Sequence, residues 1–255
     1  MAFQLRGLVA ATHTPFDVHG ELDLSIVEKQ AEHLARSGVK TVFIGGSTGE
    51  SHSLTLGERL ELCTRWSEVV RGSGLTLVVH VGSNCLADAA ALAKQAQANG
   101  ASAISALSPS YFKPKTLSLL VDCCEQIATA APEVPFYFYD IPVLTGVSFS
   151  MPDFLAMARE RIPTLNGIKF TNPDLMAYQK CLHAQHQTFD IPWGVDEYLL
   201  AALSLGAAGA VGSSYNFAAP IYNRLIAAFH EGELETAKAQ QYRSVQLIDL
   251  LAAYG

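Results

Sequence analysis

The feature that most constrains the fold of this chain is a unit that recurs eight times along the sequence. Each unit consists of a short apolar run, a polar turn and a segment with helical periodicity. The apolar runs are Gly7–Thr12, Thr41–Gly45, Thr76–Val81, Ala103–Leu107, Pro135–Tyr139, Gly167–Phe170, Phe189–Trp193 and Ala208–Gly212. Near-continuous apolar runs of this kind are typical of parallel strands that helices cover.

The number of units decides between the parallel α/β architectures. Five of the intervening segments with 3.6-residue periodicity are Leu24–Ser37, Thr55–Arg71, Leu86–Asn99, Thr116–Ala131 and Pro152–Arg161. Eight units without a linker predict a (β/α)8 TIM barrel over residues 1–232, and a doubly wound sheet is the alternative. Two more helices, Pro220–Glu231 and Glu233–Tyr254, follow the last strand. Residues 233–255 are therefore predicted to be a short, truncated C-terminal helical extension.

Charge and hydropathy exclude several classes of partner. The chain has 17 basic and 24 acidic residues, a net charge of −7, and no basic run. It therefore offers no surface that tracks phosphates, which argues against nucleic acid and anionic membranes as partners. Tyr198–Asn223 contains no charged residue. Because that stretch is rich in glycine and alanine, we interpret it as a buried helix running into a buried strand rather than a membrane span.

Cysteine usage indicates a cytoplasmic protein. Five cysteines is an odd number, and the adjacent pair Cys123 and Cys124 fits no metal or redox spacing. We expect all five to be buried small hydrophobes. The opening segment Met1–Phe16 lacks the features of a signal peptide. His183 and His186 are three residues apart, but no third metal ligand accompanies them.

Lys169 is the strongest single indication of chemistry. Period-two alternation directs Ile168 and Phe170 toward the helices and Lys169 and Thr171 into the barrel. An ammonium group is rarely buried without a partner, and a buried amine that is neutral can act as a Schiff-base nucleophile. A lysine that reaches from the strand end to a surface carboxylate is the alternative, and spacing alone does not choose between them.

Other polar residues stand at the carboxyl ends of strands, where catalytic groups of barrels gather. Tyr139 faces inward and could move a proton, although a packing aromatic explains it as well. The segment Gly45–Glu50 offers glycines, hydroxyls and consecutive N–H groups that suit a carboxylate; a simple turn is the alternative. Asp196 and Glu197 could bind sugar hydroxyls or belong to a solvated loop.

Several of these segments together resemble the N-acetylneuraminate lyases of the class I pyruvate-dependent aldolase family, which includes dihydrodipicolinate synthase. The matching segments occur in the family order over essentially the whole chain. They are Gly45–Glu50, Tyr137–Pro142 with Thr145–Val147, Gly167–Thr171, Gly194–Glu197 and Gly212–Asn216. Gly7–Thr12 adds a similarity to the animal-type lyases.

The resemblance implies a role for each matched residue. Lys169 corresponds to the Schiff-base lysine, and Tyr139 to the tyrosine that shuttles the proton. Ser47 and Thr48 correspond to the pair that holds the pyruvate carboxylate, and Ser47 also relays to Tyr139. Tyr111 corresponds to a catalytic tyrosine at the subunit boundary, which completes the chain of hydroxyl groups. Those matching the lining of the sugar end are Thr171, Gly194, Asp196, Glu197 and Ser213.

The resemblance further implies cleavage of sialic acid to N-acetylmannosamine and pyruvate by a homotetramer, a dimer of dimers, with no metal or organic cofactor. Leu144 replaces the arginine by which dihydrodipicolinate synthases bind a second carboxylate, which favours a sugar acid. Two departures are Asp140, where lyases have Asn or His, and a chain that stops at Gly255, before several helical turns of the family. A 2-keto-3-deoxy sugar-acid aldolase or dehydratase, or a non-catalytic binding barrel, remains the alternative.

Overall fold

The computed structural model describes residues 3–254, and these form a parallel sheet that curls into a barrel. Seven strands pair in the order β6-β5-β4-β3-β2-β1-β7, and every strand pairing is parallel. The strands are β1 (Gly7–Ala11), β2 (Thr41–Ile44), β3 (Thr76–His80), β4 (Ala103–Leu107), β5 (Phe136–Asp140), β6 (Leu165–Phe170) and β7 (Gly209–Gly212). The predicted α/β barrel is confirmed.

One predicted strand, Phe189–Trp193, is reduced to isolated parallel bridges that close the barrel between β6 and β7. Asp190 bridges to Gly167 of β6, and Trp193 bridges both to β6 and to Ala210 of β7. Pro192 lies inside this segment and has no N–H to donate, which limits the length of a regular ladder. Phe189–Trp193 thus occupies the predicted place of a strand in the barrel, but it does not form the predicted regular ladder.

Helices cover the outside of the barrel. They are α1 (Val27–Arg36), α2 (Leu56–Val70), α3 (Leu86–Ala98), α4 (Leu117–Thr129), α5 (Pro142–Thr145), α6 (Met151–Arg161), α7 (Leu175–Leu182), α8 (Leu199–Ser204), α9 (Tyr215–His230) and α10 (Leu234–Tyr254). Short 3-10 turns lie at Leu24–Ile26, Ser47–Gly49, Ser51–Ser53, Ala184–Gln187 and Asp196–Tyr198. Among residues 3–254, no helix is long and apolar enough to cross a membrane.

Helix α9 begins five residues before its predicted start at Pro220, which lies within the helix. Proline has no N–H, so it cannot bond the carbonyl four residues earlier, that of Asn216. The structure supplies another donor, because the Nε2 of His33 lies 2.9 Å from the Asn216 oxygen. The proline is therefore accommodated inside the helix instead of marking its first turn.

The barrel wall separates two apolar layers, as the alternation predicts. Ile168 and Phe170 pack in the outer layer against the helices. Tyr137 and Tyr139 belong to the inner layer, which fills the barrel. This placement directs the intervening side chain, Lys169, inward.

Candidate active site

A cavity of about 540 Å³ lies at the carboxyl ends of the strands, where barrel enzymes hold their substrates. Nine of the ten predicted site residues line it: Ser47, Thr48, Tyr139, Lys169, Thr171, Gly194, Asp196, Glu197 and Ser213. The strand ends thus bring together side chains from five segments of the sequence. The volume is within the range of small-molecule sites.

Lys169 is buried, with only 3% of its surface exposed. Its Nζ lies 3.7 Å from the ring centroid of Tyr139 and 4.2 Å from that of Phe43. Within the part of the chain that the structure describes, no Asp or Glu forms an ion pair with this amine. The aromatic faces and the open cavity therefore surround an amine without a counterion, as a nucleophilic lysine requires.

Tyr139 lies between the lysine and the loop after β2. Its hydroxyl is 3.3 Å from Ser47 Oγ, and either atom can be the donor. Its ring makes edge contacts with Phe43 and His80, at centroid distances of 5.9 and 5.8 Å. The phenol is thus held by packing and joined to a second hydroxyl, an arrangement that can pass a proton.

The loop after β2 is held from below by His80, a role that the sequence did not reveal. The His80 Nδ1 lies 2.9 Å from the Gly45 carbonyl oxygen, and the Leu107 N–H donates to Nε2. Burial, with the nearby charge of Arg59, lowers the pKa of His80 well below its ordinary value. The neutral ring therefore fixes the start of the loop without adding charge beneath the cavity.

The same loop presents donors for an anion. Ser47 and Thr48 open a 3-10 turn that ends at Gly49, and both line the cavity. Among residues 3–254, the N–H groups of Ser47 and Thr48 have no hydrogen-bond acceptor. Gly45 has φ +65°, a conformation that glycine adopts without strain. Adjacent free N–H groups and two hydroxyls form a concave site suited to a carboxylate.

The two carboxylates after the closing segment have different environments. The Asp196 carboxylate is buried, and its Oδ2 accepts from the Ser214 N–H at 3.0 Å and from Ser214 Oγ at 2.5 Å. Burial raises the pKa of Asp196. Glu197 is half-buried, and it has no hydrogen-bond partner in the described part of the chain. Glu197 is therefore the carboxylate that is available to a bound molecule.

Three other residues of interest lie outside this cavity. Tyr111, the tenth predicted site residue, is 79% exposed on the loop after β4. Leu144 is also exposed and borders a neighbouring cavity that includes Ser47. Asp140 is buried on the outer side of β5, where the Asn172 side chain donates to it at 3.3 Å. Asp140 therefore points away from the cavity.

A family model matches nearly the whole chain. The model describes the dihydrodipicolinate synthetase family, and the match spans residues 4–255. The chain belongs to this family. Among its members, N-acetylneuraminate lyase A of Xenopus laevis is 40% identical over 245 residues, which cover 94% of this chain and 80% of the relative.

Solved structures of the family have the same fold. N-acetylneuraminate lyase (sialic acid aldolase) from Aliivibrio salmonicida superposes with a TM-score of 0.97 at 40% identity, covering 100% of this chain and 84% of that one. The Proteus mirabilis N-acetylneuraminate lyase has a TM-score of 0.96 at 37% identity, with coverages of 99% and 85%. The predicted resemblance to the class I pyruvate-dependent aldolases is confirmed.

Proposed function

We propose that the protein is a sialic acid aldolase, which cleaves N-acetylneuraminate to N-acetylmannosamine and pyruvate. The observation that carries this proposal is the buried amine of Lys169 in the cavity, which has no carboxylate counterion among residues 3–254. The lyase relatives, at about 40% identity over nearly the whole chain, support the choice of substrate.

Binding of the substrate would begin at its carboxylate. Ser47 and Thr48 offer it two backbone N–H groups and two hydroxyls at the carboxyl end of β2. This contact places the adjacent C2 ketone of the open-chain sugar toward Lys169. The unprotonated form of the Lys169 amine adds to C2. Tyr139 gives its phenolic proton to this adduct, one water molecule leaves, and a protonated imine and a Tyr139 phenolate remain.

The imine then accepts the electrons of the bond that breaks. Tyr139 takes the proton of the C4 hydroxyl, assisted by its hydrogen bond to Ser47, while the C3–C4 bond breaks. N-acetylmannosamine leaves with its new aldehyde, and the enamine of pyruvate remains on Lys169. Protonation at C3 and addition of one water molecule release pyruvate and restore the amine.

The remainder of the sugar would lie toward the closing segment. Thr171, Gly194, Asp196, Glu197 and Ser213 line that end of the cavity. We assign Glu197 to accept hydrogen bonds from sugar hydroxyls, because its carboxylate is half-buried and has no hydrogen-bond partner among residues 3–254. Leu144 supplies no guanidinium for a second carboxylate, which favours a sugar acid over a dicarboxylate product.

Assembly is part of the proposal. Tyr111 and Phe112 are 79% and 88% exposed, and their rings contact each other at a centroid distance of 5.0 Å. Two adjacent exposed aromatics suit an interface anchor. We assign Tyr111 to a neighbouring subunit's site, in a dimer that pairs into a homotetramer.

The direct test is incubation of the purified protein with N-acetylneuraminate and separate measurement of both products. Equal amounts of pyruvate and N-acetylmannosamine are expected. A protein that forms an imine with pyruvate but releases neither product from N-acetylneuraminate would contradict the substrate assignment. Activity instead on a 2-keto-3-deoxy sugar acid without the N-acetyl group would favour the sister aldolases.

A further inference from the structure

A chain of buried hydroxyl groups connects helix α10 to the Asp196 carboxylate. Ser244 Oγ lies 2.8 Å from the Tyr222 hydroxyl. The Tyr222 hydroxyl lies 2.6 Å from Ser214 Oγ, which lies 2.5 Å from Asp196 Oδ2. All four residues are buried, and we refer to them as the Asp196 relay.

The hydroxyl groups can form an unbroken series of hydrogen bonds, because each hydroxyl can donate its one proton and can also accept a hydrogen bond. Because the single proton of Ser214 Oγ goes to Asp196 Oδ2, the Tyr222 hydroxyl donates to Ser214 Oγ and accepts from Ser244 Oγ. Tyr222 and Ser214 thus each accept once and donate once, and Ser244 donates at the end of the chain. Removal of any hydroxyl leaves its buried neighbours with an unmet donor or acceptor, which is costly away from water. Asp196 is therefore held through Tyr222 and Ser244 as well as by its direct contact with Ser214.

Helix α10 also holds the backbone of the same segment. The Gln241 side chain donates to the Asp196 carbonyl oxygen at 3.3 Å and accepts from the Leu200 N–H at 2.7 Å. These two bonds bracket the 3-10 turn Asp196–Tyr198, which contains Glu197. Two turns beyond Gln241 along α10, Ile248 lines the cavity itself.

The consequence concerns Glu197, whose own side chain has no partner in the described part of the chain. Its placement depends on the turn that carries it, and Asp196 begins that turn. We propose that Tyr222 and Ser244 are positioning residues for the sugar end of the cavity, acting through Asp196 on the placement of Glu197. This inference rests on the proposed function of the cavity.

The test compares variants that remove one hydroxyl each. Tyr222→Phe and Ser244→Ala are expected to raise the KM for N-acetylneuraminate roughly three- to ten-fold, the effect of one buried hydrogen bond, with kcat changed less. Their half-saturating pyruvate concentration in borohydride trapping should match that of the wild type, because the relay does not touch Ser47 or Lys169. Ser244→Thr keeps the hydroxyl and should retain the wild-type KM.

Tyr137→Phe is the matched control. Tyr137 is also buried, and its hydroxyl donates to the Asp190 carboxylate at 2.7 Å, at the opposite end of the barrel. Tyr137→Phe should leave the KM for N-acetylneuraminate unchanged. An unaltered KM in both Tyr222→Phe and Ser244→Ala, or an equal rise in Tyr137→Phe, would overturn the positioning role.

Hydrogen exchange provides a readout that needs no substrate. In Tyr222→Phe, amides of residues 194–198 should exchange faster than in the wild type, whereas those of residues 45–50 should not change. Equal exchange at residues 194–198 would refute the relay even if the protein cleaved another sugar acid. Absence of a pyruvate imine in the wild type, with faster exchange in the variant, would refute the proposed reaction and leave the relay supported.

Discussion

The Nζ of Lys169 lies 3.7 Å from the ring centroid of Tyr139, on the neighbouring strand. The two residues are register partners in the parallel pairing of β5 with β6, so they occupy the same level of the barrel. Side chains from adjacent strands at one level both point inward, which brings the amine and the phenol within reach of the same bound substrate molecule. This pairing is the basis of the two proposed roles, in which Lys169 forms the covalent bond with the substrate and Tyr139 transfers the proton.

Tyr139→Phe separates those two roles. We expect kcat for cleavage of N-acetylneuraminate to fall by roughly 10²- to 10⁴-fold, because the general base is lost. Imine formation with pyruvate should persist, since Lys169 is intact. Tyr137→Phe, two residues earlier on the same inner face, is the control and should keep kcat. Wild-type turnover in Tyr139→Phe would exclude Tyr139 as the proton carrier.

The buried Asp140 predicts a pH dependence of stability. Burial raises the pKa of Asp140 to about 6, and the hydrogen bond from Asn172 opposes the shift. Since its folded-state pKa exceeds its unfolded value of 3.8, Asp140 favours folding most at low pH, and this contribution is lost as pH rises through 6. Asp140→Asn should therefore gain stability relative to the wild type between pH 4 and pH 7.

The shift of Asp140 corresponds to a gain of about 3 kcal/mol as an upper value. Urea unfolding of both proteins across this pH range measures it. A difference between the two proteins that is constant with pH would show that Asp140 is ionised in the folded state as readily as in the unfolded chain.

Tyr111→Ala tests the assembly. The wild type is expected to be at least a dimer at micromolar concentration, and loss of an aromatic anchor should weaken association by roughly 2 kcal/mol or more. The kcat of Tyr111→Ala for N-acetylneuraminate should fall as the association weakens. Tyr254→Ala removes another exposed tyrosine, at the end of α10, and serves as the comparison. A fully active wild-type monomer in sedimentation or light scattering would contradict the interface role of Tyr111.

The leucine at position 144 predicts that the enzyme prefers a sugar acid to aspartate semialdehyde as substrate. The wild type should cleave N-acetylneuraminate far more efficiently than it condenses pyruvate with aspartate semialdehyde. Leu144→Arg should shift the ratio of the two kcat/KM values toward condensation by roughly ten- to hundred-fold, the effect of one charged hydrogen bond. Efficient condensation by the wild type would contradict the substrate assignment.

The sequence predicts the parts of the structure that depend on local pattern. Alternation along Gly167–Phe170 predicts that Lys169 faces inward. Because the carboxyl ends of barrel strands meet at one end of the barrel, the sequence also predicts that residues as far apart as Ser47 and Ser213 line one cavity. These predictions succeed because each strand packs one face against the helices and the other into the barrel interior. Successive side chains alternate between the two faces, so the position of a residue along its strand decides which way it points.

Side-chain contacts between helices were not predictable in the same way. Tyr222 and Ser244 are 22 residues apart on two helices, and neither lies at a strand end. The pattern placed Asp196 near the sugar but did not show that its carboxylate is turned onto Ser214. That orientation depends on the close approach of Asp196 to Gly212, where a Cβ would lie 1.9 Å from Oδ1. Such packing is a property of the folded tertiary structure.

Borohydride reduction in the presence of pyruvate tests the central claim, that Lys169 is the Schiff-base nucleophile. Peptide mass spectrometry should find one adduct, on the peptide that contains Gly167–Thr171, and Lys169→Met should form none while remaining folded. The reduced imine leaves a stable secondary amine, so the site is read directly. An adduct on another lysine, or no adduct on the folded wild-type protein, would contradict the account.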